Sequence, residues 1–137
     1  MRTLLIAIAL STAVHPSAFG QTQPLACEGR IATVRVSEIK PEGSVSGFLA
    51  AVAAHKAWYV SHGVTNDEIL AMPVINRDAT TRAQSYSDKQ FMSFHIHGSR
   101  QPGPKHDDAY EAFVKLYRDN SDIKSEYNIC LPNLSPK

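Results

Sequence analysis

The chain has 137 residues, 43% of them hydrophobic, with 14 Lys and Arg set against 13 Asp and Glu for a formal net charge of +1. That length suits one domain with a core of useful size. The even, unclustered charge speaks against nucleic acid and anionic membrane as partners.

At the start, Arg2 precedes an apolar run from Leu4 to Leu10, Pro16 breaks it, and Ala18-Phe19-Gly20 supplies the small residues of a cleavage site. Residues 1–20 are therefore expected to be a secretory signal peptide cut before Gln21, leaving 21–137 as a single secreted or periplasmic domain with no membrane association after cleavage. The two cysteines of an exported chain, Cys27 and Cys130, are expected to pair.

Arg30 to Ile39 alternates and is rich in β-branched residues, which predicts a strand. Pro41-Glu42-Gly43 ends it, and Ser44 or Ser46 can cap a helix that Gly63 stops. That helix is the least ordinary stretch of the chain. From Phe48 to Val60 only His55 and Lys56 interrupt an apolar, helix-forming run, and Val45, Phe48, Leu49, Val52, Tyr59 and Val60 are expected to form its buried stripe. It is too short to span a bilayer, which takes about 20 apolar residues, so burial against a second subunit is expected.

Glu68 to Ile75 predicts a second strand, at an edge or bulged because Pro73 cannot donate to a ladder. Asn76 to Lys89 is polar and is expected to be a long mobile loop. Gln90 to His97 predicts a third strand with Met92, Phe94 and Ile96 on one face and Phe91, Ser93, His95 and His97 on the other. Asp107 or Asp108 opens a second helix, with Glu111 as the reciprocal capping partner of Asp108. Its apolar stripe is Tyr110, Phe113, Val114, Leu116 and Tyr117. Glu126 to Leu131 predicts the last strand.

Strand, helix, strand, strand, helix, strand is the order of a ferredoxin-like α+β fold, with four antiparallel strands and two helices on one face. First and last strands are neighbours in that topology, which places Cys27 beside Cys130. The face away from the helices, with Ile31, Phe91 and Ile129 assigned to it, needs cover, and a homodimer is the simplest cover.

This element order, with a nearly all-apolar first helix containing Ala-His-Lys-Ala-Trp-Tyr and followed by His-Gly and a strand, resembles the dimeric α+β barrel superfamily. Monooxygenase-like, EthD-like and haem-degrading proteins belong to it. The resemblance implies two sheets packed face to face and a ligand between helices and sheet. Haem-degrading members use an Asn, a Trp and a helical His; His55 and Trp58 share the first helix here, but no Asn falls at a matching place.

The expected ligand is an apolar or aromatic small molecule walled by Phe48, Trp58, Tyr59, Phe94 and Tyr110, with Arg35 as an anion anchor and His55 and Lys56 as the polar, catalytic pair. Lys56 is placed in the middle of the apolar stripe. A cofactor-independent monooxygenase-like or isomerase-like activity is one expectation, with no cofactor and no metal. The alternatives are a non-catalytic oligomeric interaction module, or haem or metal held by His55 or by His95 and His97, with His62 or His106 completing a site. A structural role would instead leave His95 on the dimer-facing side of the sheet.

Overall fold

A computed structural model describes residues 26–98 and 103–132; the leader expected at 1–20 lies outside them. Six elements follow in the expected order: β1 (Arg30–Ile39), α1 (Val45–Ser61), β2 (Glu68–Arg77), β3 (Gln84–Ile96), α2 (Asp108–Asn120) and β4 (Ser121–Leu131). The strands form one antiparallel sheet ordered β2-β3-β1-β4. With α1 and α2 packed on each other, α1 also against β2 and α2 against β4, both helices lie on one face. The fold is ferredoxin-like α+β.

Local chemistry explains most of the boundaries. Ser44 caps α1 by accepting from the Gly47 N–H at 3.0 Å, and Gly63, at φ +78°, takes the left-handed conformation that ends it. Gly47 is required for a second reason. A Cβ there would collide with the Asn120 side chain, whose Oδ1 accepts from the Ser44 N–H at 2.9 Å and whose Nδ2 donates to Leu116 O at 2.9 Å. The end of α2 is thereby tied to the start of α1. Asp107, not Asp108, caps α2, accepting from the Tyr110 N–H; the expected Asp108–Glu111 box does not form, because Asp108 is already the first helical residue.

Three other expectations are corrected. The segment 76–89 is mostly strand: β2 runs to Arg77 and β3 begins at Gln84, joined by a short turn. Asp78 organises that turn, its Oδ1 accepting from Thr80 N (3.0 Å), Thr81 N (2.6 Å) and Thr81 Oγ1 (2.9 Å) while Arg82 adopts a left-handed φ of 64°. A hairpin held by backbone pairing leaves no apolar alternation to read in a polar run. Pro73 does sit on an edge strand beside a bulge. β4 starts at Ser121, five residues earlier than expected, pairing with β1 across a bulge at Val36/Ser37.

The buried stripe of α1 is Phe48, Ala51, His55 and Trp58, while Leu49 and Val60 are exposed. The expected stripe is off by roughly a quarter turn at about 100° per residue. An apolar helix contains no signal for which face turns inward; contact with α2 and the sheet decides it. Phe91, assigned to the uncovered face, packs under α1 with its ring 5.2 Å from Phe48.

Cys27 and Cys130 are bonded, with Cα atoms 5.7 Å apart, where β1 begins and β4 ends. Among the described residues no helix is long and apolar enough to cross a membrane. The bridge joins positions 103 residues apart, a loop long enough for a cross-link to restrict the unfolded chain strongly. Replacing both cysteines by Ser should lower stability by about 2 to 5 kcal/mol. Urea denaturation of the parent and the double variant measures it, and coincident midpoints would contradict it.

Candidate functional site

Strand alternation gives the sheet two chemically different faces. Phe91, Ser93, His95 and His97 of β3 pair with Ser37, Arg35 and Thr33 of β1 and with Pro73, Ala71 and Ile69 of β2, and this set faces the helices. Its middle is polar. The opposite face presents Val34, Val36, Leu70, Met72, Phe94, Tyr127 and Ile129 in register. Leu70, Met72, Tyr127 and Ile129 are exposed there.

Because the helices lean on each other and on the two edge strands, they stand away from the centre of β1 and β3. A cavity of about 470 Å³ results. Arg35, Ser37, Ser93 and His95 lie along its sheet side, and His55, Tyr59, Tyr110, Phe113 and Tyr117 along its helix side. His106 reaches its rim, stacked on Tyr110 with ring centres 3.5 Å apart.

His55 lies at the helix–helix contact. Its ring stacks on Phe113 (4.5 Å, 16°), stands edge-on to His95 (5.3 Å), and its Nδ1 is 3.4 Å from the Tyr117 hydroxyl. Burial pushes its pKa down to about 3, with His95 and Arg35 adding to the effect. Burial likewise pushes Tyr117 up to about 12 and raises Tyr59.

Beside this group, His95 Nε2 is 2.8 Å from Asp67 Oδ2, and the Gly98 N–H donates to Asp67 Oδ1 at 2.7 Å. Burial alone would raise the Asp67 carboxyl, but the Gly98 and His95 hydrogen bonds outweigh it and hold it below its ordinary value. His95 is also lowered, burial prevailing over the carboxylate's opposing pull. The pair is thus a neutral imidazole donating to a carboxylate.

Of the residues singled out in the sequence, His55, Tyr59, Tyr110, Arg35 and Phe94 border the cavity, although alternation puts the Phe94 ring on the side of Met92 and Ile96. Arg35 is engaged by Glu126 at 2.6 Å. Phe48 is fully buried between Phe91 and Tyr117 and belongs to the core. Trp58 is also core: its indole N–H donates to Asp107 Oδ1 at 2.7 Å, fastening α1 to the cap of α2. Lys56 is exposed and outside the cavity lining. One position beyond His55 is about 100° around the helix, which carries Lys56 from the buried face to the outside. His95 lies on the helix side of the sheet, edge-on to His55, and not on the opposite face. His62 pairs with Asp107 at 3.2 Å and is not among the Asp67, His95 and His97 group.

Asp67, a turn residue by sequence, is the member sequence reasoning missed. Strand pairing was the available signal: with Ile69 opposite His95, the residue two before Ile69 must come beside His97.

Comparison with protein-family models, with curated proteins and with solved structures finds no match. The ferredoxin-like assignment rests on topology alone, and fold does not specify activity.

The low pKa of His55 has a consequence for stability. Between about 3 in the fold and its ordinary 6.5, the unfolded chain binds a proton that the folded chain does not. Stability should therefore fall as pH drops below about 6.5, by up to about 1.4 kcal/mol per pH unit for this group. His95 acts in the same direction, so part of the slope stays when His55 is replaced. His55→Phe, which keeps a ring against Phe113, should lose up to roughly 2 kcal/mol less than the parent between about pH 7 and about pH 5. Denaturation at the two pH values tests this, and equal losses would contradict it.

Proposed function

We propose that this protein binds a small apolar or aromatic molecule in the cavity between the helix pair and the sheet. The cavity itself carries the proposal: about 470 Å³ lies within the range of roughly 300 to 1,000 Å³ typical of small-molecule sites. Its aromatic helix side suits a flat ring, and Ser37, Ser93 and the neutral histidines suit one or two hydrogen-bonding groups on it. Arg35, neutralised by Glu126, is less suited to anchoring a full negative charge.

Binding, rather than turnover, is what these groups favour. General-base catalysis near neutral pH works best with a pKa near the working pH, and His55 lies well below it. Isomerase-like or monooxygenase-like chemistry is therefore the secondary reading. The disulfide and the leader-like first 20 residues support an exported, secreted or periplasmic location.

The same reading includes a homodimer of the α+β barrel type, formed by two copies of the helix-free sheet face. Leu70 and Met72 on β2 and Tyr127 and Ile129 on β4, exposed on that one face at the two edges of the sheet, are the support. Antiparallel strands with an apolar outer face call for cover, and a two-fold contact covers both copies at once.

Two experiments test these proposals separately. 2-Naphthol should bind saturably by fluorescence titration. Ser93→Phe, which fills the sheet side of the cavity, should weaken binding at least about tenfold, a step of about 1.4 kcal/mol, while outward-facing Lys56→Met should leave it unchanged. Absence of saturation, or equal binding by Ser93→Phe, would sink the cavity reading. For the dimer, the parent should sediment at twice the chain mass and Leu70→Asp at the chain mass. A parent that sediments as a monomer at micromolar concentration would remove it.

A further inference from the structure

The pairing of β2 with β3 brings Asp67, which immediately precedes β2, beside His95 near the end of β3 and His97 just beyond it, on the helix-facing side of the sheet. We propose that these three side chains form a site for one divalent first-row transition-metal ion per chain.

One ligand atom from each lies within 4.8 Å of those of the other two. Asp67 Oδ2 is 2.8 Å from His95 Nε2 and 3.9 Å from His97 Nδ1. Ligands around an ion with bonds of about 2.0 to 2.1 Å stand about 3.0 to 3.4 Å apart, and the two observed separations bracket that range. Small side-chain adjustments would seat an ion between the three atoms. The His95 and Asp67 side chains are 8% and 7% exposed and His97 is 35% exposed, so the cluster is walled by a buried pair and open to solvent on the His97 side.

Hydrogen bonding identifies what each group offers. Thr33 Oγ1 donates to Asn128 Oδ1 at 2.9 Å, which uses its one proton, and lies 3.2 Å from His97 Nε2. It can only accept from His97, so the imidazole carries its proton on Nε2. In the neutral ring, the Nδ1 lone pair then lies on the side of the Asp67 carboxylate, 3.9 Å from Oδ2. Two lone pairs facing each other near a buried anion are a place for a cation. On the opposite side the Gly98 N–H fixes Asp67 Oδ1. Two of the three ligands are thus held from behind by a partner on their other polar atom, the arrangement that orients metal ligands. Ligation through His95 Nε2 would shift the proton it now shares with the carboxylate to His95 Nδ1, so that the imidazole stays neutral.

Two imidazoles and one carboxylate select borderline ions over Mg²⁺ and Ca²⁺, which favour all-oxygen sets. Three protein ligands leave at least one coordination position open. His95 belongs to both the cluster and the cavity lining, but the site stands independently of any ligand in the cavity.

The test uses the full chain after treatment with chelator, titrated with Zn²⁺ by calorimetry and with Co²⁺ by visible absorption. One ion per chain is expected, with no heat from Mg²⁺. His97→Ala and Asp67→Asn should each weaken Zn²⁺ binding at least tenfold, and Thr33→Val, which keeps shape but loses the hydroxyl, by about 10- to 100-fold. His62→Ala, remote from the cluster, should change nothing. Thermal melts report whether each variant is folded; if Asp67→Asn or His97→Ala is not, Thr33→Val decides. No saturation by excess Zn²⁺, or binding that survives in folded His97→Ala and Thr33→Val proteins, overturns the site. So does binding that is lost with His62→Ala instead.

Discussion

The stack of His55 on Phe113 is the contact on which the interior depends. It is where α1 and α2 meet, and it sets how far both helices stand from the sheet. Around it Trp58 reaches the α2 cap through Asp107, and Asn120 closes the other end of the pair onto Ser44. Fastened at both ends, the helices cannot drop onto the centre of β1 and β3. The space beneath them is a property of helix pairing, not a packing defect in the sheet.

Most of the architecture was legible in the sequence because it rests on local signals. β1 was read at its observed ends from alternation alone, α1 from Ser44 and Gly63, and α2 from Asp107 or Asp108. The cysteine pair was expected from an exported chain with two cysteines, and the strand order independently placed them side by side. What escaped has a common cause: backbone pairing and tertiary choice leave no mark on side-chain pattern. The strand residues 84–89 are polar yet paired, and their turn depends on Asp78 accepting three hydrogen bonds. In α1 the apolar residues surround the axis, so the expected stripe took in Lys56, which is exposed, while His55, outside the expected stripe, is buried.

The candidate site was legible in part for the same reason. His95 and His97 share a face by the period of two, a local rule, and His55 stood out as a polar residue in an apolar helix. Neither fact says that the two elements face each other. Only the pairing of β2 with β3 brings Asp67 to the histidines, and only the packing of α1 over β2 brings His55 to His95. Phe48 and Trp58, expected as cavity walls, are instead core residues, Phe48 packing α1 on Phe91 of the sheet and Trp58 fastening α1 to the cap of α2.

The sheet's two faces invert the usual distribution of polarity. Antiparallel sheets with one covered face normally put apolar residues under the helices and polar ones outside. Here Ser37, Ser93, Arg35, His95 and His97 lie beneath the helices, and Val34, Val36, Met72 and Phe94 face away. Buried imidazoles and an aspartate are costly compared with leucines of similar volume, and each is compensated only by specific partners. A core selected for stability alone has no need of them, and local inconsistency of this kind concentrates where a protein does its work. The polar interior argues for a site between helices and sheet. The apolar exterior, with Leu70, Met72, Tyr127 and Ile129 exposed, is the observation behind the proposed dimer, so the proposed site and the proposed assembly rest on opposite faces of one sheet.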